Sequence, residues 1–326
     1  MILHLLVCYL MRLLCLALSP LLLFGQTPGQ NPPESEATIK VDVDLVSIYF
    51  SVRDKKGGLI PNVEKPEFSI FEDGKQQDVK FFTRESNLPL TLGLLVDVSG
   101  SQARLIEDER RAASQFFPRV LRPKDMAFLI SFGAEAELLQ DFTNSTRLLR
   151  DGLDRMKLNT GVQGIHASTI PTANPKGTIL YDTVYLAANE KLKSEVGRKA
   201  LVLITDGMDQ GSSYKLEQAI EMAQKSDAII YSILYADSRF GGGFYHLNDS
   251  ALRKMSEETG GHLFRVDNKH PLDSIFDQIQ NEMRSQYTIA YSSTNTRKDG
   301  GFRKIEIKTL NKDYKVQARR GYYAVK

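Results

Sequence analysis

The apolar and polar positions of the chain fall into three regimes. Over residues 38–83 they alternate: Val41, Val43 and Leu45, then Ile48, Phe50 and Val52, stand between polar neighbours. That is the period of a strand with one buried face. Lys55-Lys56-Gly57-Gly58 reads as a turn. Phe68–Phe71, then Glu72-Asp73-Gly74-Lys75, then Val79, Phe81 and Phe82 predict a strand, a turn and a return strand. The pattern changes at Pro89. Leu90–Val96 is an apolar run, as in a strand buried on both faces of a parallel sheet. Further strands are predicted over Met126–Phe132, Glu137–Gln140, Ala200–Ile204, Ala228–Tyr235 and His262–Arg265. Helices are predicted over Ala103–Val120, Ser145–Met156, Leu180–Leu192, Lys215–Lys225, Ser250–Thr259 and Leu272–Met283. Strands alternating with helices imply an α/β fold with a doubly wound, mainly parallel sheet. From Tyr287 the alternation returns, over Tyr287–Tyr291, Lys304–Lys308 and Tyr314–Ala318. These strands are expected to pack with residues 38–83 as a small flanking β-sandwich formed by N- and C-terminal strands, with the α/β domain inserted into it.

The first 24 residues stand apart. They are almost wholly apolar, broken chiefly by His4 and Arg12, and the run Leu13–Phe24 is twelve residues long. That length suits the core of a secretory signal and is short for a membrane span. Arg12 follows Met11, so translation from Met11 rather than Met1 would supply the charged start of such a signal. The expected organisation is a signal peptide over 1–26 and a Pro-rich linker over 27–37. An N-terminal β region over 38–86, an α/β domain over 87–285 and C-terminal strands over 286–326 follow. The expected location is secreted, periplasmic or in the cell envelope, with an uncleaved anchor as the alternative. Both cysteines, Cys8 and Cys15, lie in the leader. With the leader removed, the mature chain would have neither disulfides nor thiolate chemistry.

The 326 residues, 42% hydrophobic and 25% charged, suit a soluble chain of about two domains. A net charge of +2, with Lys and Arg interspersed among acids, gives no bias toward nucleic acid or anionic membrane. The informative residues stand just after the first core strand: Asp97-Val98-Ser99-Gly100-Ser101. In a doubly wound sheet ligands bind at the carboxyl ends of strands. One carboxylate and two hydroxyls on alternate residues are hard oxygen donors suited to Mg²⁺. Thr205-Asp206-Gly207 follows the apolar strand Ala200–Ile204, which puts Asp206 at the same sheet edge. Gly177-Thr178 opens the helix before that strand and adds a hydroxyl. Taken singly, Asp97, Ser99, Ser101 and Thr178 are also ordinary helix caps, and Asp206-Gly207 is an ordinary turn. Asp209 reads as a turn residue or an acid standing behind the ligands.

Asp-x-Ser-x-Ser, then a lone Thr, then Thr-Asp-Gly after an apolar strand resembles the metal-ion-dependent adhesion site of von Willebrand factor A domains. The resemblance spans about residues 90–285. Phe68–Lys75 and Arg320-Gly321-Tyr322-Tyr323 extend it to the secreted "VWFA-related" proteins known largely from acidobacteria. It implies that Ser99 and Ser101 bind a divalent cation directly. Asp97, Asp206 and Thr178 would bind directly or through water. The ion would be Mg²⁺, with Mn²⁺ or Ca²⁺ as alternatives. Two carboxylates and three neutral hydroxyls leave such an ion under-coordinated, so a Glu or Asp from a protein partner can complete its shell. The expected function is then adhesion or binding, not catalysis. The alternatives are a metal-dependent hydrolase using the same crevice and a structural envelope protein with a vestigial site. Against catalysis, Gly241-Gly242-Gly243 lacks the Lys-Ser/Thr of a phosphate-binding loop, and neither Gly-x-Ser-x-Gly nor His-Glu-x-x-His occurs. Residues 159–176, including His166, read as a polar loop at the rim of the site.

Overall fold

The computed structural model describes residues 45–84, 88–159, 177–236 and 249–324. The predicted leader and linker, the first strand residues Val41 and Val43, the rim loop with His166 and the Gly241–Gly243 segment lie outside the described residues. Among the described residues, no helix is long and apolar enough to cross a membrane.

The central sheet has six strands. They are β5 (Leu90–Asp97), β6 (Met126–Phe132), β7 (Ala136–Thr143), β8 (Arg198–Thr205), β9 (Ala228–Leu234) and β10 (Leu263–Arg265). Their order is β10-β9-β8-β5-β6-β7, with β7 antiparallel at one edge and all other pairs parallel. Helices cover both faces. On one side lie α1 (Ile106–Val120), α2 (Thr146–Asp154) and α6 (Leu272–Arg284), which pack on Leu92, Leu94, Val96 and Val202. On the other lie α3 (Leu180–Leu186), α4 (Leu216–Lys225) and α5 (Asp249–Thr259), packed on Leu95, Leu201 and Leu203. Every residue of β5 and β8 is buried, which explains why their sequences carry no alternation. The predicted helix over Leu180–Leu192 is α-helical to Leu186 and continues as a π-helical turn over Ala187–Leu192. The helix predicted from Ala103 begins instead at Ile106, after a 3-10 turn over Gly100–Gln102.

The flanking sandwich is present. One sheet has the order β13-β1-β11-β4, from Lys315–Ala318, Leu45–Arg53, Tyr287–Ser292 and Val79–Arg84. The other is β14-β12-β2-β3, from Gly321–Tyr323, Phe302–Thr309, Phe68–Glu72 and Lys75–Gln77. Ile48, Phe50, Ile70, Tyr287, Ile289 and Ile305 fill the space between them. One expectation is corrected here. Val79, Phe81 and Phe82 are not the return strand of the hairpin after Phe71. The return is the short β3, and β4 crosses to the opposite sheet, where it pairs with β11. Alternation fixes which residues face the core, and Phe82 does stack on Phe68 at 5.7 Å between ring centres. It does not fix which sheet edge a strand joins.

The two layers of structure are joined where α6 runs into β11. The fully buried Glu282 pairs with Arg53 of β1 and accepts from Ser51 Oγ at 3.3 Å. Arg198, at the start of β8, donates to the carbonyls of Met283 and Leu88. The strand carrying Asp97 is therefore clamped at its base.

Gly93 is what allows β5 to sit between its neighbours. It is in register with Phe128 on one side and Leu201 on the other. A Cβ there would lie 2.4 Å from Phe128 Cζ and 2.6 Å from Leu201 Cδ2. Gly93→Ala is expected to cost about 1–3 kcal/mol through overpacking, read as a lower urea midpoint with an unchanged slope.

Candidate metal centre

β5 and β8 are parallel neighbours, and the chain winds outward from them in opposite directions. Their carboxyl ends are the switch point at which a doubly wound sheet leaves a crevice. β5 ends at Asp97 and β8 at Thr205, with Asp206 next. Asp97 is fully buried. Its Oδ2 accepts from Thr205 Oγ1 at 2.6 Å and its Oδ1 from Ser99 N at 2.9 Å. The Ser99 and Ser101 hydroxyls lie 3.1 Å from each other. Ser99 occupies the N-cap position of the 3-10 turn but makes no side-chain cap, and α1 has Leu105 at its cap position. The capping roles open to the Asp-x-Ser-x-Ser residues in the sequence are thus not the ones they take.

Thr178 and Asp206 are both buried. Their loops meet closely: Gln210 N donates to Thr178 O at 3.0 Å. A Cβ on Gly177 would lie 2.8 Å from the Gln210 backbone, so the approach requires glycine. Thr178 is not needed to cap α3. The first amides of that helix are met by Asp209 Oδ1, accepting from Tyr181 N at 3.2 Å, and by Ser212 Oγ, accepting from Asp182 N at 3.1 Å. Asp209 therefore anchors the helix behind the crevice.

The electrostatics are unbalanced. Burial, then the nearby charge of Asp206, push the Asp97 carboxyl up to about 7, against the opposing hydrogen bonds from Ser99 and Thr205. Among the described residues neither Asp97 nor Asp206 has a Lys, Arg or His ion-pair partner. Two half-satisfied carboxylates beside paired hydroxyls, all hard oxygen donors, fit a divalent cation. No trio of His, Cys, Asp or Glu able to hold a metal occurs among the described residues, so any such ion depends on the hydroxyls.

Several residues that support the crevice escaped the sequence analysis. Thr205 orients Asp97. Asp182, buried on α3, accepts from Ser213 N at 2.9 Å and Tyr214 N at 2.7 Å, which ties down the loop after Asp206. Glu109 on α1 is fully buried, with neither oxygen hydrogen-bonded among the described residues. The signal for Asp182 and Glu109 was an acid on the apolar stripe of a helix.

The family model for the von Willebrand factor type A domain matches residues 92–278. The chain belongs to that family. No curated protein matches it. Solved structures that the chain is similar to include the conserved hypothetical protein BatB from Bacteroides thetaiotaomicron. It is 18% identical, with 60% of this chain and 97% of that one covered and a TM-score of 0.45. The PilB minor pilin of Streptococcus sanguinis is 15% identical over 62% of each chain, with a TM-score of 0.44. Proximal thread matrix protein 1 of the mussel byssus, solved with zinc in its MIDAS motif, is 14% identical. There 65% of this chain and 50% of that one are covered, with a TM-score of 0.46.

The raised Asp97 carboxyl sets a pH dependence for the metal-free protein. Below about pH 3 the group is protonated whether folded or unfolded. As pH rises toward 7 the unfolded chain ionises while the fold still holds the proton, so stability is lost across that window. The full effect above pH 7 is on the order of 4 kcal/mol. In EDTA, wild-type protein is expected to melt at a lower temperature at pH 8 than at pH 5. Asp97→Asn is expected to flatten that difference; an equal slope in both proteins would refute the assignment.

Proposed function

We propose that this chain is an exported binding module. Asp97, Ser99, Ser101, Thr178 and Asp206 would together hold a divalent cation, Mg²⁺ first among the candidates. The N-terminal apolar segment would act as the export signal. The observation that carries the reading is the buried Asp97–Asp206 pair, with no cationic partner among the described residues, beside the Ser99 and Ser101 hydroxyls at the switch point. Family membership supports it, since von Willebrand factor A domains generally serve binding and adhesion.

The chain's residues divide the work. Thr205 and the Ser99 amide hold the Asp97 carboxylate in one orientation. The Gln210–Thr178 contact keeps the second and third loops together. A bound Mg²⁺ would supply positive charge and a coordination position open to an outside oxygen. An Asp or Glu side chain from a protein partner is the ligand suited to it, since hard anionic oxygen is what this ion prefers. Domain boundaries near residues 87 and 285 follow from the same reading.

Calorimetric titration of stripped full-length protein should show one Mg²⁺ site, with Mn²⁺ and Ca²⁺ as comparisons. Asp97→Ala should abolish it while leaving the circular-dichroism spectrum intact. Immobilised wild-type protein should retain envelope proteins in Mg²⁺ and release them in EDTA, and Asp97→Ala should retain none. Retention of the same proteins by Asp97→Ala, or in EDTA, would defeat the proposal.

A further inference from the structure

Helix α1 carries an acid where its pattern calls for an apolar residue. Ile106, Ala113, Phe116 and Val120 form its buried stripe. Glu109 falls on that stripe, at the i+3 position from Ile106 and the i−4 position from Ala113. It is 0% exposed. Neither of its oxygens has a hydrogen-bond partner among the described residues. Gln102 is equally buried, and its Oε1 is in the same condition. The Gln102 amide nitrogen, by contrast, is placed: Nε2 donates to Tyr235 O at 3.2 Å. Tyr235 N donates to Thr205 O at 3.0 Å, and the Thr205 hydroxyl holds Asp97 at 2.6 Å. Gln102 is thus linked by three contacts to the floor of the crevice. Burial pushes the Glu109 carboxyl well up, and the nearby charges of Asp97, Asp108 and Asp206 push it the same way.

Three buried acceptor atoms, two on Glu109 and one on Gln102, have no donor to meet them among the described residues. Leaving a buried acceptor unsatisfied costs about 1–3 kcal/mol, and more if it is charged. Burial of an unpaired acid is correspondingly rare. A cation with its waters is the complement of such a set. Its charge favours the ionised carboxylate, and its waters turn hydrogens outward. An anion or an acceptor-rich ligand would make the imbalance worse.

Resting on the cation-binding function proposed above, we propose that Glu109 is a third anionic group of the divalent-cation site, acting from the α1 side of the crevice. It is not a direct ligand, because no trio of acids among the described residues is gathered to hold one ion. It acts through the field of its carboxylate and through water. Groups in this relation to a metal typically change its affinity by about tenfold to a hundredfold. Glu109 is therefore a positioning and charge-setting residue.

The test compares Mg²⁺ and Mn²⁺ titrations of stripped, full-length wild type, Glu109→Gln, Glu109→Leu and Asp97→Ala, each with a metal-free melting curve. Glu109→Gln and Glu109→Leu are expected to weaken Mg²⁺ binding by about tenfold to a hundredfold, with metal-free melting temperatures equal to or above that of wild type. Glu109→Leu removes the buried polar group outright, so one variant remains informative if the glutamine is poorly tolerated. A Glu109 that is only a misfit in the core would raise the metal-free melting temperature on replacement and leave the affinity alone. That result overturns this inference. If Asp97→Ala loses the ion while both Glu109 variants keep wild-type affinity, the role of Glu109 fails and the binding function stands. If wild type binds no divalent cation, both fall.

Discussion

Asp97 and Asp206 stand at the ends of adjacent buried strands, and nothing positive in the described protein answers them. That repulsion, made worse by exclusion of water, is the constraint around which the rest is arranged. A fold can keep such a pair only by fixing it from several directions. The Thr205 hydroxyl and the Ser99 amide do this for Asp97, and the Met208 amide does it for Asp206 at 3.0 Å. These bonds lower the energy of the ionised forms without neutralising them. Burial and Asp206 still win over them, as the upward shift of Asp97 shows.

The loops that bring these groups together have little regular structure of their own, so their shape comes from side chains committed to backbone amides. Asp182 holds two amides of the loop after Asp206, Asp209 and Ser212 hold the first amides of α3, and Asn159 N donates to Val98 O at 2.8 Å. Each of these contacts is far apart in sequence and short in space. The loops are thus held from several sides, and the Ser99 and Ser101 hydroxyls already stand 3.1 Å apart before any ion arrives. Preorganisation of this kind lowers the ordering cost of binding.

The parts of the fold read correctly from the sequence are those where one physical effect dominates. Burial on both faces made Leu90–Val96 and Ala200–Ile204 recognisable as central strands, and their position before Asp97 and Asp206 placed both acids at one edge. The hairpin after Phe71 was misread because Val79 and Phe82 do face the core. The alternation was right, and only the partner strand was wrong, since β4 pairs with β11 rather than β2. Glu109 and Asp182 were missed for the opposite reason. An acid within a helix is usually solvated, and only the turn-by-turn position of each on an apolar stripe marks it as buried. Thr205 was quoted within a motif, but its bond to Asp97 depends on the strand register, which sequence does not provide.

A protein selected for stability alone would not keep this arrangement. Replacing a buried carboxylate that has no hydrogen-bond partner by an apolar residue of similar size is expected to stabilise, and here Glu109 invites such replacement. The compensation lies elsewhere: in a central sheet whose two middle strands are buried throughout, in the Arg53–Glu282 pair that ties β1 to α6, and in the Arg198 bonds that tie β8 to the end of α6 and to the chain just before β5. Local rules are broken at one place and obeyed around it, the pattern expected where strain serves a ligand. The sign of the strain also identifies the ligand's charge. Among the described residues Asp97 and Asp206 are anions without an ion-pair partner, and the unbonded atoms of Glu109 and Gln102 are acceptors, so the species that relieves them must be positive. The hydroxyls beside Asp97 make it one that prefers oxygen.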